Sequence, residues 1–167
     1  EKKPILAAAY RNLAIYFLNK EGDFEKAMKA METACNLDPS YPRFWLERDQ
    51  LAAKTGEMPQ KRLEILEQRK ELLEQHDVLY LRYITLLNRV GRYEEALSCL
   101  TGHIFHPWEG GEGKVAAQYK FALTELAKER MEEGSWQEAI RFLEKTLQYP
   151  PNLGEGKLPN VPDNEAY

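Results

Sequence analysis

The stretch HIFHPWEGGEGK, residues 103–114, holds the side chains of this chain that are best suited to chemistry. It places two histidines, a tryptophan and two glutamates among three glycines. Imidazoles and carboxylates are common zinc ligands, but a zinc site needs three or four of them. His103 and His106 supply two, and Glu109 and Glu112 complete a set only if the loop folds back on itself. A metal site is therefore the weakest of the interpretations that stay open for this loop.

Residue spacing argues against phosphate binding and against catalysis. A P-loop has a glycine five residues before its Gly-Lys pair and a serine or threonine after it. Around Lys114 those two positions hold Trp108 and Val115. Cys99 and His103 are four residues apart, which puts them on one face of a helix, but no third residue completes a catalytic set. We expect no enzymatic activity, no catalytic residue, no metal and no cofactor.

The composition argues against nucleic-acid and membrane partners. The formal net charge is −4 and the pI is near 5.5, whereas nucleic-acid binding needs clustered cations. No apolar run approaches the roughly 20 residues of a membrane span, and EKKPILAAAY shows no signal-peptide pattern. Cys35 and Cys99 form no CxxC pair, which is typical of small buried residues in a reducing compartment. These features predict a cytoplasmic location.

The elements that position the loop are repeated along the chain. GDFEKA begins at Gly22, GRYEEA at Gly91 and GSWQEA at Gly134, while GEMPQK at Gly56 is a degenerate copy. The four glycines are separated by 34, 35 and 43 residues. The first two spacings are those of a helix–turn–helix repeat, and the third adds an insertion that contains the loop at 103–114. The chain is predicted to contain four repeats with one expanded joint.

Each repeat has the pattern of two amphipathic helices. Upstream of Gly91, apolar side chains recur three and four residues apart, and they do so again downstream. A glycine between two helices suits a left-handed helix end, and the alanines at 27, 96 and 139 permit close helix approach. Ser135 with Glu138 predicts a capping box. The aromatic residues Phe24, Tyr93 and Trp136 are predicted to pack back on their own hairpins.

These phrases resemble the tetratricopeptide repeat, and the resemblance covers roughly residues 5 to 150. The matching residues are Gly22, Phe24, Ala27, Met31, Ala34 and Pro39 in the first repeat, Trp45, Leu51 and Gly56 in the second, Tyr80, Gly91, Tyr93, Ala96 and Leu100 in the third, and Leu123, Gly134, Trp136, Ala139 and Leu143 in the fourth. The first repeat departs from the pattern by one extra residue between Leu13 and Gly22. The resemblance implies an all-α fold of about four antiparallel helix hairpins stacked into a right-handed superhelix.

The predicted array occupies residues 1–167 as a single domain. Its repeats fall at about 5–40, 41–75, 77–113 and 114–151, followed by a tail at 152–167. No polar capping helix closes the array, so we expect the chain to be part of a longer protein. The GEGK-tailed unit is also similar to repeat regions of large bacterial proteins that carry an uncharacterised sugar-associated β-sandwich domain upstream.

The loop itself is part of a 43-residue repeat. The tail TLQYPPNLGEGK ends like the loop, with Pro150 aligned to Pro107 and Lys157 to Lys114. The positions of His103 and His106 are occupied by threonine and tyrosine in that copy. A structural loop explains the shared residues best, with a ligand-contacting loop as the alternative. Its candidate contact residues are His103, His106, Trp108, Glu112 and Lys114.

The resemblance implies a function in binding. A stacked array leaves a concave groove lined by the first helices of the repeats, and the family binds peptides or proteins there. Mapped onto this chain, that face carries Asn12, Arg43, Glu47, Gln50, Arg82, Thr85, Asn88, Arg89 and Lys128. The lysine and asparagine clamp of chaperone-binding members is not reproduced.

We therefore predict a non-catalytic interaction scaffold whose partner is a protein, a peptide or another domain of the parent chain. The alternative is an accessory region of a carbohydrate-active enzyme, in which the GEGK loops help to shape a site. An exposed Trp108 could stack on a sugar there.

Overall fold

The chain is all-α in the computed structural model, which describes residues 2–155. Helices and connecting turns account for this part of the chain, without strands. The helices are α1 (Lys2–Tyr16), α2 (Phe24–Leu37), α3 (Pro42–Lys54), α4 (Pro59–Glu67), α5 (Lys70–Leu73), α6 (Asp77–Arg89), α7 (Tyr93–Gly102), α8 (Lys114–Glu132) and α9 (Trp136–Thr146). The expected all-α class is confirmed. The aligned Lys157 and the rest of the predicted tail from 156 onward lie outside the described residues.

The helices follow one another in pairs of the kind that the repeats predict. α1 precedes α2, α3 precedes α4, α6 precedes α7 and α8 precedes α9, with the short α5 as an addition after α4. The helices form two compact units, and the boundary between them falls within α6, between Tyr83 and Ile84. None of the described helices is both long enough and apolar enough to cross a bilayer.

Glycines end the first helix of three pairs in the way that the sequence predicts. Gly56, Gly91 and Gly134 have φ values of 78°, 80° and 76°, in the left-handed region that favours glycine. The residue after each glycine donates its amide to the carbonyl five residues earlier, which satisfies the helix end in a Schellman motif. These bonds run from Glu57 to Ala52 (2.9 Å), Arg92 to Leu87 (2.9 Å) and Ser135 to Arg130 (2.8 Å).

The first pair accommodates its extra residue in a π-helical turn. The turn spans Phe17–Glu21, directly after α1, and ends at Gly22 with φ 66°. The amide of Asp23 donates to the carbonyl of Phe17 at 3.0 Å, one residue further back than in the other three pairs. A π-turn is the usual way for a helix to absorb one inserted residue without losing its direction.

Small residues lie where the paired helices approach each other. In the first unit, Ala14, Ala27, Ala30, Met31 and Leu51 form one buried cluster. In the second unit the alanines of α7 and α9 at positions 96 and 139 are buried as well. The prediction that these alanines permit close helix approach agrees with their burial.

The predicted role of the aromatic residues is wrong at two of three positions. Trp136 is 59% exposed and Phe24 is 44% exposed, so neither side chain is packed into its hairpin. Tyr93 is half-buried, and it contacts Phe121 edge to face, with ring centroids 6.2 Å apart. Phe121 belongs to α8, so this contact is with the following helix pair and does not test the prediction that Tyr93 packs on its own hairpin.

The predicted capping box is also wrong. Ser135 makes no capping hydrogen bond with its side chain, so the first turn of α9 lacks that support. Asp23 does cap α2, where its Oδ1 accepts from the amide of Lys26 at 2.9 Å.

Candidate functional site

A groove runs along α1 and α3 in the first unit. It consists of two depressions of about 270 and 290 Å³, both lined by Arg11. Asn12 and Arg43 border the first depression, and Glu47 and Gln50 border the second. These are four of the residues that the sequence assigned to a binding face. We call this feature the α1–α3 groove.

An ion-pair cluster crosses the middle of the α1–α3 groove. Arg11 donates to both carboxylate oxygens of Glu47 at 2.6 Å, and Arg43 Nε donates to Oε1 of Glu47 at 2.9 Å. Burial of Glu47 opposes its ionisation, but the hydrogen bonds from the two arginines outweigh this and lower its pKa. Glu47 is thus an ionised link between α1 and α3. Arg43 keeps a side chain that is 59% exposed.

Arg82 is held in a structural network rather than presented to a ligand. Its Nε donates to Oδ2 of Asp49 at 2.5 Å, and Asp49 is only 1% exposed. Arg62, which is 3% exposed, pairs with both oxygens of the same carboxylate at 2.7 Å. Two guanidinium groups therefore share one buried carboxylate, and this network connects α3, α4 and the start of α6. Reversing the charge of Arg82 would test stability and not binding.

The predicted binding residues of the second unit lie on α6 and α8. Asn88 is 2% exposed, and its Nδ2 donates to the carbonyl and Oε1 of Gln118 at 3.2 and 3.0 Å. Burial removes Asn88 from any open face. Lys128 is exposed and pairs with Glu125 at 2.6 Å. Thr85 is half-buried and Arg89 is exposed.

The loop at 103–114 is held from two sides by the segment that follows α9. Asn152 Nδ2 donates to the carbonyls of Leu100 and His103 at 2.8 Å, and these carbonyls end α7. The carbonyl of Asn152 accepts from the amide of Phe105, also at 2.8 Å. One asparagine thus satisfies both a helix end and the loop. Residues 150–155 act as a strap across the loop.

Glu155, the last residue of the strap, binds the start of α8. Its carboxylate accepts hydrogen bonds from the backbone amides of Gly113 and Ala116, at the N-terminus of α8. A carboxylate at this position is stabilised by the unsatisfied amides and by the helix dipole. Leu153 is the buried residue of the strap, and Gly154, with φ 70°, passes directly over the carbonyl of Phe105.

Between loop and strap lies a cavity of about 250 Å³, which we call the loop cavity. Trp108 is half-buried on its wall, with its indole ring directly over Gly111. His106 and Glu112 are exposed at the cavity, and Val115 is buried in it. The Oε1 atom of Glu112 accepts from the amide of Gly110 at 3.3 Å.

The remaining loop residues predicted to contact a ligand lie outside this cavity. His103 packs edge to face on Phe105, with ring centroids 4.7 Å apart, and Lys114 is the exposed first residue of α8. Within residues 2–155, no cluster of three or more histidine, cysteine, aspartate or glutamate side chains is arranged to hold a metal ion.

The sequence-based prediction did not single out three residues that make important contacts in the structure. Arg11 is the sequence neighbour of Asn12, which was predicted to lie on the binding face. Helix periodicity alone does not show which of two such neighbours faces α3. Asn152 and Glu155 were assigned to the tail and given no role. The 43-residue spacing that aligns Glu155 with Glu112 was the available signal.

No protein-family model matches this chain. The resemblance to the tetratricopeptide repeat therefore rests on the glycine, aromatic and alanine phrases and on the paired helices.

Proposed function

We propose that this chain is a non-catalytic interaction scaffold of the tetratricopeptide type, which binds an extended peptide segment in the α1–α3 groove. The segment belongs to a partner protein or to another domain of the parent chain. The right-handed superhelix and the cytoplasmic location are parts of the same proposal.

The observation that carries the proposal is the clustering of Asn12, Arg43, Glu47 and Gln50 around one groove. They come from two helices that are first members of successive pairs, which is where a helical-repeat array places its binding face. Two adjoining depressions with polar rims suit an extended chain better than a compact small molecule.

The groove's charges favour an acidic peptide. Its lining holds three cations, Arg11, Arg43 and Lys54, against two carboxylates, Asp38 and Glu47. Both arginines donate to Glu47, but Arg11 makes two of these hydrogen bonds and Arg43 makes one through its Nε. The side chain of Arg43 is also 59% exposed, so its guanidinium is the group best placed to bind a partner's carboxylate, and such charge-assisted bonds are strong. The exposed amides of Asn12 and Gln50 can pair with a peptide backbone, since each offers a donor and an acceptor.

The test uses peptides selected from a random display library against the purified chain. Binding of the selected peptides is measured by calorimetry with the wild type, with Arg43→Glu and with Asn12→Ala/Gln50→Ala. Arg43→Glu removes one charge-assisted hydrogen bond, which corresponds to a loss of about tenfold or more in affinity. The amide double variant keeps the ion pairs and is expected to weaken binding without altering helicity.

Arg141→Glu is the matched control. Arg141 is exposed on α9 and lines neither depression, so the same charge reversal there is expected to leave binding unchanged. Equal losses in Arg43→Glu and Arg141→Glu would show non-specific charge attraction and overturn the proposal. Failure to select any peptide that depends on the groove would overturn it as well.

A further inference from the structure

The loop cavity combines apolar walls with negative charge. Val115 and Leu153 are buried in it, and Trp108 provides an aromatic wall. Its charged side chains are two carboxylates, Glu112 and Glu155, and neither lysine nor arginine is among the described residues that line it. This cavity belongs to the second unit and is independent of the α1–α3 groove.

The two carboxylates differ in how they are held. Glu155 is fixed by the amides of Gly113 and Ala116, so its charge stays in place at the cavity wall. Glu112 is exposed, and among residues 2–155 its carboxylate accepts a long hydrogen bond from Gly110 at 3.3 Å. An ionised carboxylate has about four acceptor positions, so Glu112 retains capacity for a donor from a ligand.

We propose that the loop cavity binds the cationic head group of a lysine or arginine side chain presented by a protein partner. Glu112 supplies the carboxylate that accepts from the ammonium or guanidinium group. Trp108 supplies an indole that attracts a cation, and tryptophan is the strongest side chain for this contact. Glu155 adds a second, fixed negative charge.

Size and charge both favour a single cationic side chain. Cavities for cofactors and drug-sized ligands start at about 300 Å³, so a cavity of about 250 Å³ is small for them. A neutral occupant would partly desolvate the Glu112 carboxylate without supplying a compensating charge, which is costly, whereas Glu155 already has the amides of Gly113 and Ala116 as donors. A cationic head group with an apolar stem matches both the carboxylates and the apolar wall.

The loop cavity is formed by residues on both sides of the α8–α9 pair, so it depends on the position of the strap. Leu153, Gly154 and Glu155 line the cavity and come from the segment after α9, while Trp108 and Glu112 come from the loop before α8. The cavity therefore exists only when residues 150–155 lie against the loop, so releasing the strap is expected to abolish binding.

The test follows the indole N–H signals of the three tryptophans by proton–nitrogen NMR, with Trp108→Phe to assign the signal of Trp108. The probes are N-acetyl-arginine and N-acetyl-lysine methylamides, with the neutral norleucine analogue and methyl glucoside as comparisons. The two cationic probes are expected to shift the Trp108 signal saturably, with a Kd of about 1–10 mM for a contact of this size. The norleucine analogue and the glucoside are expected to leave the signal in place.

Glu112→Gln and Glu109→Gln form a matched pair of variants. Glu109 lies in the same loop but does not line the cavity, and glutamine at 112 can still accept from Gly110. Glu112→Gln is expected to weaken binding of the cationic probes about fivefold, and Glu109→Gln is expected to leave it unchanged. Equal effects of the two variants, a saturable shift with the glucoside or the norleucine analogue, or no saturable shift with the cations would each overturn the proposal. Because Arg43 is not involved, the result is separate from the test of the α1–α3 groove.

Discussion

Replacing Asp49 by asparagine is expected to destabilise the first unit, because it removes a buried charge that two arginines share. The carboxylate of Asp49 accepts both hydrogen bonds of the Arg62 fork at 2.7 Å and one from Arg82 at 2.5 Å. The substituted asparagine keeps the shape of the side chain but loses the charge and one acceptor oxygen. Two guanidinium groups then lose their shared counter-charge.

The magnitude follows from the burial of each partner. Arg62 is only 3% exposed, and breaking a buried pair by removing one partner costs about 3–5 kcal/mol. The Arg82 side chain is 32% exposed, so solvent screens its share, and Arg82→Gln leaves the Arg62 fork intact. We therefore expect Asp49→Asn to cost about 3–5 kcal/mol and Arg82→Gln about 1 kcal/mol.

Urea unfolding followed by helical circular dichroism measures both values, provided that the slope of the transition stays the same. Glu64→Gln is the control, because Glu64 is exposed on the same helix as Arg62 and its loss is expected to cost less than about 0.5 kcal/mol. A cost below about 1 kcal/mol for Asp49→Asn, or equal costs for Asp49→Asn and Arg82→Gln, would refute the argument. It would mean that solvent reaches the network and compensates the lost charge.

Three further predictions concern the strap, the groove and the surface. Gly154→Ala places a Cβ against the carbonyl of Phe105 at a φ of 70°, so it is expected to cost at least about 1–2 kcal/mol in thermal unfolding. The control Gly102→Ala places its Cβ in open space and is expected to be neutral, so equal unfolding midpoints of the two variants would contradict this prediction. The pKa of Glu47 is lower in the folded chain than its usual value of 4.5, so its stabilisation is complete above that value and is lost as the pH falls through the lowered pKa. The difference in unfolding free energy between wild type and Glu47→Gln should therefore shrink as the pH falls below 4.5, and a difference that grew instead would reverse the sign of the argument. Trp136→Ala should cost less than about 1 kcal/mol in urea unfolding, because its side chain is 59% exposed; a cost of about 3–5 kcal/mol would show that it is buried after all.

The helix pairs could be predicted because they depend on neighbours in sequence. A glycine after a run with helical periodicity marks a helix end, and it did so at Gly56, Gly91 and Gly134. The extra residue before Gly22 was visible in the same way, and the π-turn at Phe17–Glu21 is its local consequence. Hydrogen bonds within one helix and its cap span only a few residues, so a short window of sequence contains their causes.

The candidate sites could be predicted only in part. The α1–α3 groove is bordered by four residues that the sequence assigned to a binding face, three of them on α3, where helical periodicity decides which residues share a face. The same periodicity placed Arg82 on the binding face and could not show that Asp49 engages it. Whether a charged side chain meets solvent or a buried counter-charge depends on the helix that packs against it.

The amino-acid sequence by itself determined that this chain forms paired helices, where the pairs turn and which residues are small enough for the helices to approach. Only the tertiary structure decided which polar groups form hydrogen bonds or ion pairs within the chain. Asn152 and Glu155 satisfy helix ends about 40 to 50 residues away along the chain, and Arg11 meets Glu47 across 36 residues. Such contacts are set by the packing of whole helices against one another, and a periodic pattern of residues does not encode the partner of an individual side chain.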